Sequence, residues 1–490
     1  MIYSPSLEKA RNIADNYKVI PLSCEIFSDI KTPIEVLKIL KTVSRNCYML
    51  ESLENPQNWG RYTFLGFDPK LELTCINGKL KIVLEEKIIE ESTTCPKKYI
   101  RQIVNENKSP RFENLPPFTG GLVGYFAYDY IKYIEPNLEL DGENQEGFKD
   151  VDLMLFDKVI AFDHLKKKII IIANVKTKYL ETSYKEGVKE LDRIVKLIKN
   201  SHSQKNTDGK LTSEFRPQFS KEEYCNMVNK AKNYIYEGDI FQVVLSNRLE
   251  ADFEGSLLNT YRILRTTNPS PYMYYFSSDD IEIAGASPET LVKIQDNTVY
   301  TFPLAGTRQR GKTYIEDLEL EKELLSDEKE LAEHNMLVDL GRNDLGKVSE
   351  FGSVEVEKYL SIERFSHVMH IGSTIKGLMK NSKDGLDAID AVLPAGTLSG
   401  APKIRACEII NELENKKRGI YGGAIGYIDF TGNIDTCIAI RIAYKKNGKV
   451  FIHSGAGIVA DSVPEKEYQE CFNKAKAIKD ALEFSEEVDY

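Results

Sequence analysis

Short runs rich in β-branched and aromatic residues recur along this chain without a regular helix between each pair, and that irregularity limits the folds open to it. Residues 48–50, 79–85, 167–173, 242–249, 273–276, 282–286, 424–430 and 438–444 read as strands. Helical periodicity marks only 184–199, 220–236, 317–339 and 464–484. A doubly wound parallel sheet needs a helix after nearly every strand, so the pattern predicts an α+β fold with large, mostly antiparallel sheets. The run Lys167-Lys-Ile-Ile-Ile-Ile-Ala173 suits a buried strand. No internal repeat or low-complexity tract interrupts the chain.

The polar stretch NSHSQKNTDGKLTSEF at 200–215 is the expected boundary. It divides the 490 residues into an N-terminal region (1–200), a linker (201–215) and a C-terminal region (216–490). Net charge is −10 and no dense Lys/Arg block occurs, which excludes nucleic acid and anionic membranes as expected partners. No apolar run reaches the ~18 residues that a membrane span needs. Residues 1–18, MIYSPSLEKARNIADNYK, lack the apolar stretch of a signal peptide. The eight cysteines stand singly with no C-x-x-C, against structural zinc and a disulfide framework. A reduced, cytoplasmic chain is expected.

Two carboxylate pairs with one spacing, Glu330-Leu-Ala-Glu333 and Glu467-Tyr-Gln-Glu470, lie in helical stretches. Positions i and i+3 share a helix face. If the helices face each other, four like charges meet and call for a divalent cation, and hard oxygen ligands suit Mg²⁺. Around them lie segments that offer backbone N–H groups and cations. His453-Ser-Gly-Ala-Gly-Ile places Gly455 and Gly457 where a backbone can approach an anion. Pro303-Leu-Ala-Gly-Thr-Arg308, the small-residue loop 394–403 and Arg418-Gly-Ile-Tyr-Gly-Gly423 add a hydroxyl, guanidinium groups and a phenol. In the helix from Pro464, capped by Ser462 or Asp461, Glu467, Glu470 and Lys474 align beside an apolar stripe. His370, taken alone, reads as a satisfied core histidine. Neither G-x-x-x-x-G-K-[ST] nor G-x-G-x-x-G opens a helix. The groups suit a small dianion: a metal for one carboxylate, Arg, Tyr and backbone N–H for another.

The strings GASPE (285–289), PLAGTR (303–308), DEKELAEH (327–334), VDLGRNDLG (338–346), PAGTLSGAPK (394–403), YGGAIGY (421–427), DTCIAIR (435–441) and GAGIVADSVPEKEYQE (455–470) resemble the chorismate-utilising enzymes, in family order. Nearest is the branch that forms anthranilate, the first committed step of tryptophan biosynthesis. The resemblance implies a two-layered α/β sandwich with the active site between layers, and Mg²⁺-dependent amination of chorismate followed by pyruvate elimination. By resemblance, Glu333 and Glu470 ligate Mg²⁺ while Glu330 and Glu467 hold its waters. Tyr421, Arg441, Gly455, Ala456 and Gly457 receive the enolpyruvyl carboxylate, and Lys474 lies near the ring carboxylate. Gly306, Thr307, Thr397 and His370 contact the substrate, with His370, Glu330 and Thr397 as catalytic groups. Gln309 stands where the family commonly has proline, and Ser454 where it has alanine.

Members that add water, or that form a lysine adduct, carry a lysine two residues before the threonine of PLAGTR; here that residue is Ala305. The resemblance therefore implies ammonia as nucleophile. No cysteine has glycine on both flanks, as a glutaminase elbow requires, so a separate glutamine amidotransferase subunit is expected. Glu51 and Ser52, followed by Trp59–Gly66 and joined by Pro271, Tyr272 and Met273, resemble a feedback site for tryptophan. Two alternatives stay open: an enzyme that stops at aminodeoxyisochorismate, and a catalytically silent regulatory protein of the same fold.

Overall fold

The computed structural model describes residues 1–53, 60–84, 87–202, 208–365 and 368–486. Trp59, Glu85, Ser366 and the middle of the expected linker lie outside them. Among the described residues, thirteen strands form one sheet and twelve form another, and every ladder within them is antiparallel. The sequence pattern predicts this outcome, and the reason is local: most successive strands are joined by turns too short for a crossover helix.

The two sheets face each other across a core of large side chains that includes Tyr48, Phe118, Phe156, Tyr274, Tyr427 and Tyr444. Helices cover the outer faces. Leu180–Asn200, Leu258–Thr267 and Pro464–Glu483 pack on the thirteen-stranded sheet, while Glu328–Gly346 and Gly385–Val392 pack on the other. Helix starts follow side-chain chemistry. Ser220 and Glu223 close a capping box at the head of Lys221–Tyr236, and Thr32 and Glu35 do so at Pro33–Leu40.

Both sheets draw strands from either side of residues 201–215. Tyr272–Ser277 pairs with Cys47–Glu51, and Ala424–Asp429 pairs with Gly121–Phe126. Strands from before and after the polar segment thus share hydrogen-bonded ladders.

Three elements differ from expectation. The helix expected over 317–339 is two helices, Tyr314–Ser326 and Glu328–Gly346. Asp327 stops the first with an extended backbone, and its carboxylate accepts the N–H groups of Lys329 and Glu330 to start the second. The helix Pro464–Glu483 has no side-chain cap; Ser462 Oγ instead accepts the Val459 N–H. The strand expected over 438–444 is two strands in different sheets, Ile434–Ile438 and Ile442–Lys446. Arg441 lies in the crossing between them with φ of +50°, a conformation that periodicity cannot reveal.

Candidate active site

The chain also passes between the sheets at Pro288–Glu289, from Glu282–Ser287 to Thr290–Gln295. The Ile438 N–H donates to the Glu289 carbonyl, tying the two crossings together at 3.0 Å. They open onto a cavity of about 630 Å³ that is also lined by Ala305, Gly306, Glu333, His370, Thr397, Tyr421, Arg441, Gly455, Gly457, Glu467, Glu470 and Lys474. Segments scattered over two hundred residues thus meet in one place.

Strand alternation decides which groups reach the cavity. On Lys449–Ile458, Gly455 and Gly457 face it, while Ala456 turns its methyl into the core beneath the helices Lys221–Tyr236 and Lys403–Glu414. A Cβ on Gly455 would lie 2.9 Å from the Tyr421 hydroxyl and one on Gly457 2.8 Å from Gln242 Nε2, so both positions keep the wall open by being glycine. Thr307 is exposed and sets its hydroxyl 3.1 Å from His370 Nδ1.

His370 has a defined tautomer. Its Nδ1 lies 2.9 Å from the Gly306 carbonyl, which can only accept, so Nδ1 carries the proton and Nε2 keeps its lone pair. Burial holds the imidazole pKa below its ordinary value, so the ring is neutral. Contact with the Phe365 ring at 5.5 Å completes its seat. The default reading as a core histidine gives way to a half-buried base at a cavity.

Glu289 is the acid that sequence reasoning leaves unassigned. Burial pushes its carboxyl up to about 7, against the lowering effects of the Thr397 hydroxyl, which donates to it at 3.0 Å, and, more weakly, of the Lys474 charge. Thr397 therefore holds an acid at the cavity wall. The signal was present in the string GASPE, but only burial distinguishes this glutamate from the many others.

The two carboxylate pairs border the same cavity without closing on one point. Glu333, Glu467 and Glu470 line it, and Glu330 stands beside Gly306, whose added Cβ would come within 3.2 Å of it. Among the described residues, no three acidic, imidazole or thiol groups converge as a cluster. Each pair has its own compensation: Arg308 lies 3.5 Å from Glu330, and Lys474 lies 3.4 Å from Glu470. Neither Glu333 nor Glu467 has an ion-pair partner among the described residues. Burial, then the charge of Glu330, raises the Glu333 carboxyl above its usual value. Carboxylate oxygens from two helices, two of them uncompensated, fit a hard divalent cation.

Arg441 donates to the Lys474 carbonyl at 2.9 Å, and the Lys474 ammonium donates to the Gly455 carbonyl at 3.0 Å. Burial lowers the Arg441 pKa and raises that of the Tyr421 phenol, which remains a protonated donor. Facing one another are then a cationic wall with N–H and O–H donors, an acidic wall, a neutral imidazole and a carboxyl whose pKa burial raises to about 7.

A second cavity, of about 310 Å³, lies between the sheets and is lined by Glu51, Ser52, Pro271, Tyr272 and Met273 together with Arg61, Tyr427 and Lys293. The side chains of Glu51 and Met273 point away from it, since the strands alternate and their register pairs the two residues on one face. Glu51 accepts from Tyr261 at 2.6 Å, from Arg265 at 2.5 and 3.0 Å and from Thr63 at 3.2 Å. Met273 is fully buried under the same helix. Both contribute backbone to the cavity wall.

An acid-lined and arginine-lined cavity thus lies at the seam of two antiparallel sheets. The chain belongs to the chorismate binding enzyme family, whose pattern it matches over residues 45–480. It is 46% identical to anthranilate synthase component 1 of Acetivibrio thermocellus, over 99% of this chain and 100% of that one. It is 45% identical to anthranilate synthase component 1 of Aquifex aeolicus, over 98% of each. The crystal structure of anthranilate synthase component I from Streptococcus pneumoniae superposes with a TM-score of 0.77 at 40% identity, covering 85% of this chain and 92% of that one. Within the family the chain stands among the large subunits of anthranilate synthase, chorismate-utilising lyases that eliminate pyruvate. No helix among the described residues is long and apolar enough to cross a membrane.

Proposed function

We propose that this cavity aminates chorismate with free ammonia and then expels pyruvate, using Glu289 as acid and His370 as base. The observation that carries the reading is the pairing of a buried carboxyl with pKa near 7 and a neutral imidazole at one cavity that presents only a methyl at Ala305. With no amine at position 305, the nucleophile is external, and ammonia arrives from a separate glutamine amidotransferase subunit.

Arg441, Tyr421 and the N–H groups around Gly455 and Gly457 receive the enolpyruvyl carboxylate. Ammonia adds to C2 beside C1, both ring double bonds shift by one position, the C4 hydroxyl departs as water with the proton of Glu289, and the new ammonium gives up a proton to leave an amine. His370 Nε2 then takes the ring proton at the aminated carbon. The ring electrons become aromatic as the C3–oxygen bond breaks, and the departing enolpyruvate takes a proton to become pyruvate. Mg²⁺ held by Glu333 and Glu470, with Glu330 and Glu467 on its waters, would supply positive charge to the ring carboxylate. Glu289 replaces Glu330 as our acid, because Glu330 faces Arg308.

The second cavity supports a tryptophan site. Its apolar and aromatic walls suit an indole, and Arg61 and Lys293 lie near for a carboxylate. Ser52, Pro271 and Tyr272 present side chains to it, and Glu51 and Met273 present backbone.

Pyruvate release from chorismate tests the main reading. The isolated chain should release pyruvate with ammonium salts and Mg²⁺, lose this on chelation, and fail with glutamine. An amino intermediate without pyruvate would return the enzyme to the non-eliminating alternative, and glutamine-dependent turnover by the chain alone would overturn the missing-subunit inference.

A further inference from the structure

At the back of the cavity, His453 stacks on Tyr421 with ring centroids 4.3 Å apart and planes 21° apart. The Tyr421 hydroxyl has no hydrogen-bond partner among the described residues, so whatever clamps the ring sets where the phenol points. His453 is itself fixed from behind. Its Nε2 lies 2.9 Å from Ser246 Oγ, and Ser246 donates to Glu414 through its hydroxyl at 3.0 Å and its N–H at 2.7 Å. Glu414 is paired with the fully buried Arg418 at 2.9 and 2.6 Å. Arg418 uses two more donors on the Leu398 and Val244 carbonyls, each at 2.6 Å, and its guanidinium lies 5.9 Å from the centroid of the Tyr421 ring.

The proton order along this chain follows from its ends. Glu414, ion-paired to Arg418, only accepts, so the Ser246 hydroxyl hydrogen points to it. Ser246 Oγ is then left to accept, and His453 Nε2 carries the proton. Burial, with the Arg248 and Arg418 charges, keeps the imidazole neutral. Serine, histidine and glutamate are in contact here, but the serine proton faces the carboxylate and not the histidine. The arrangement cannot raise a nucleophile. Its physical effect is to hold a neutral flat ring at a fixed angle.

We propose that His453 is a positioning residue: through the Glu414–Ser246–His453 chain it orients the Tyr421 phenol toward the substrate carboxylate. The inference rests on the reading of Tyr421 as a receiver of that carboxylate. It implies that loss of His453 weakens chorismate binding more than it slows the chemistry, since Glu289 and His370 are untouched.

The test is steady-state kinetics with ammonium on the parent, Tyr421→Phe, His453→Ala, His453→Phe and the Tyr421→Phe/His453→Ala double variant. His453→Ala should raise KM for chorismate about tenfold with kcat within about threefold. His453→Phe, which restores a flat ring, should recover most of the loss. The double variant should be no worse than the poorer single one, because both act through one phenol. Multiplying effects in the double variant, or an unchanged KM in His453→Ala beside a raised KM in Tyr421→Phe, would overturn the positioning role alone. An unchanged KM in Tyr421→Phe would overturn the reading of Tyr421 and the inference together. Should His453→Ala not fold, His453→Gln, which keeps a donor for Ser246 and loses the ring, carries the same expectation.

Discussion

Glu289 shows what a single residue's surroundings add to its identity. Its string is visible in the sequence, yet the carboxyl is pushed up only because the fold buries it at the cavity wall, where Thr397, 108 residues away, meets it and partly opposes the rise. Nothing in local spacing encodes that meeting. Two consequences follow from a folded pKa of about 7 against 4.5 for the free side chain. Between those values the folded state binds the proton that the unfolded state has lost, so this group's contribution makes stability fall as pH rises through that window. The difference is on the order of 3 kcal/mol. Glu289→Gln should therefore gain stability relative to the parent at pH 8 and not at pH 4, measured by denaturant midpoints. In the proposed mechanism the protonated form is the active one. At constant free ammonia, kcat should fall as pH rises past about 7, and Glu289→Gln should lose about a hundredfold or more. A flat pH profile at fixed free ammonia would remove Glu289 from the mechanism.

At the scale of elements, the helices that carry the acids were legible, and so were most strands. Apolar stripes fix both: Cys471, Ala475, Ile478 and Leu482 are buried as their spacing requires. What the pattern could not show is where the chain changes sheet. A strand that ends in one sheet and resumes in the other after three residues keeps its hydrophobicity, so 438–444 reads as continuous. The crossing demands a left-handed backbone at Arg441, where glycine would be relaxed and the side chain carries strain of about 1 kcal/mol. Arg441→Gly should be more stable than Arg441→Ala by about that amount in urea melts, while both lose chorismate affinity alike. If the alanine variant proved equally stable, the backbone there would be unstrained. Asp327 is the companion case: one carboxylate ends a helix, starts the next and takes Arg308 at 2.8 Å.

Over the whole molecule, the polar stretch at 200–215 was visible but its meaning was not, because sequence cannot say that strands before and after it interleave. The same interleaving puts the second cavity between strands from both parts of the chain, and the expected tryptophan residues do border it. Tyr272 links the cavities: its phenol donates to Asp435 at 2.7 Å and lies 3.0 Å from Thr290, the residue after Glu289. The proposed inhibition would require tryptophan to favour one arrangement of this seam over another. Ser52→Phe should fill the cavity, abolishing tryptophan inhibition while leaving turnover with ammonium within about threefold of the parent. Retained inhibition would place the effector elsewhere.

The two crossings have a mechanical side. Glu289 and Arg441, the proposed proton source and carboxylate anchor, sit on the short bridges by which one sheet hands the chain to the other. Sheets are stiff and bridges of two or three residues are not, so a small shear of one sheet over the other becomes rotation at those bridges. On the proposed reading, the grip on chorismate would be a gauge of how the two sheets are aligned, and a molecule wedged into their seam would register at the active site without touching it.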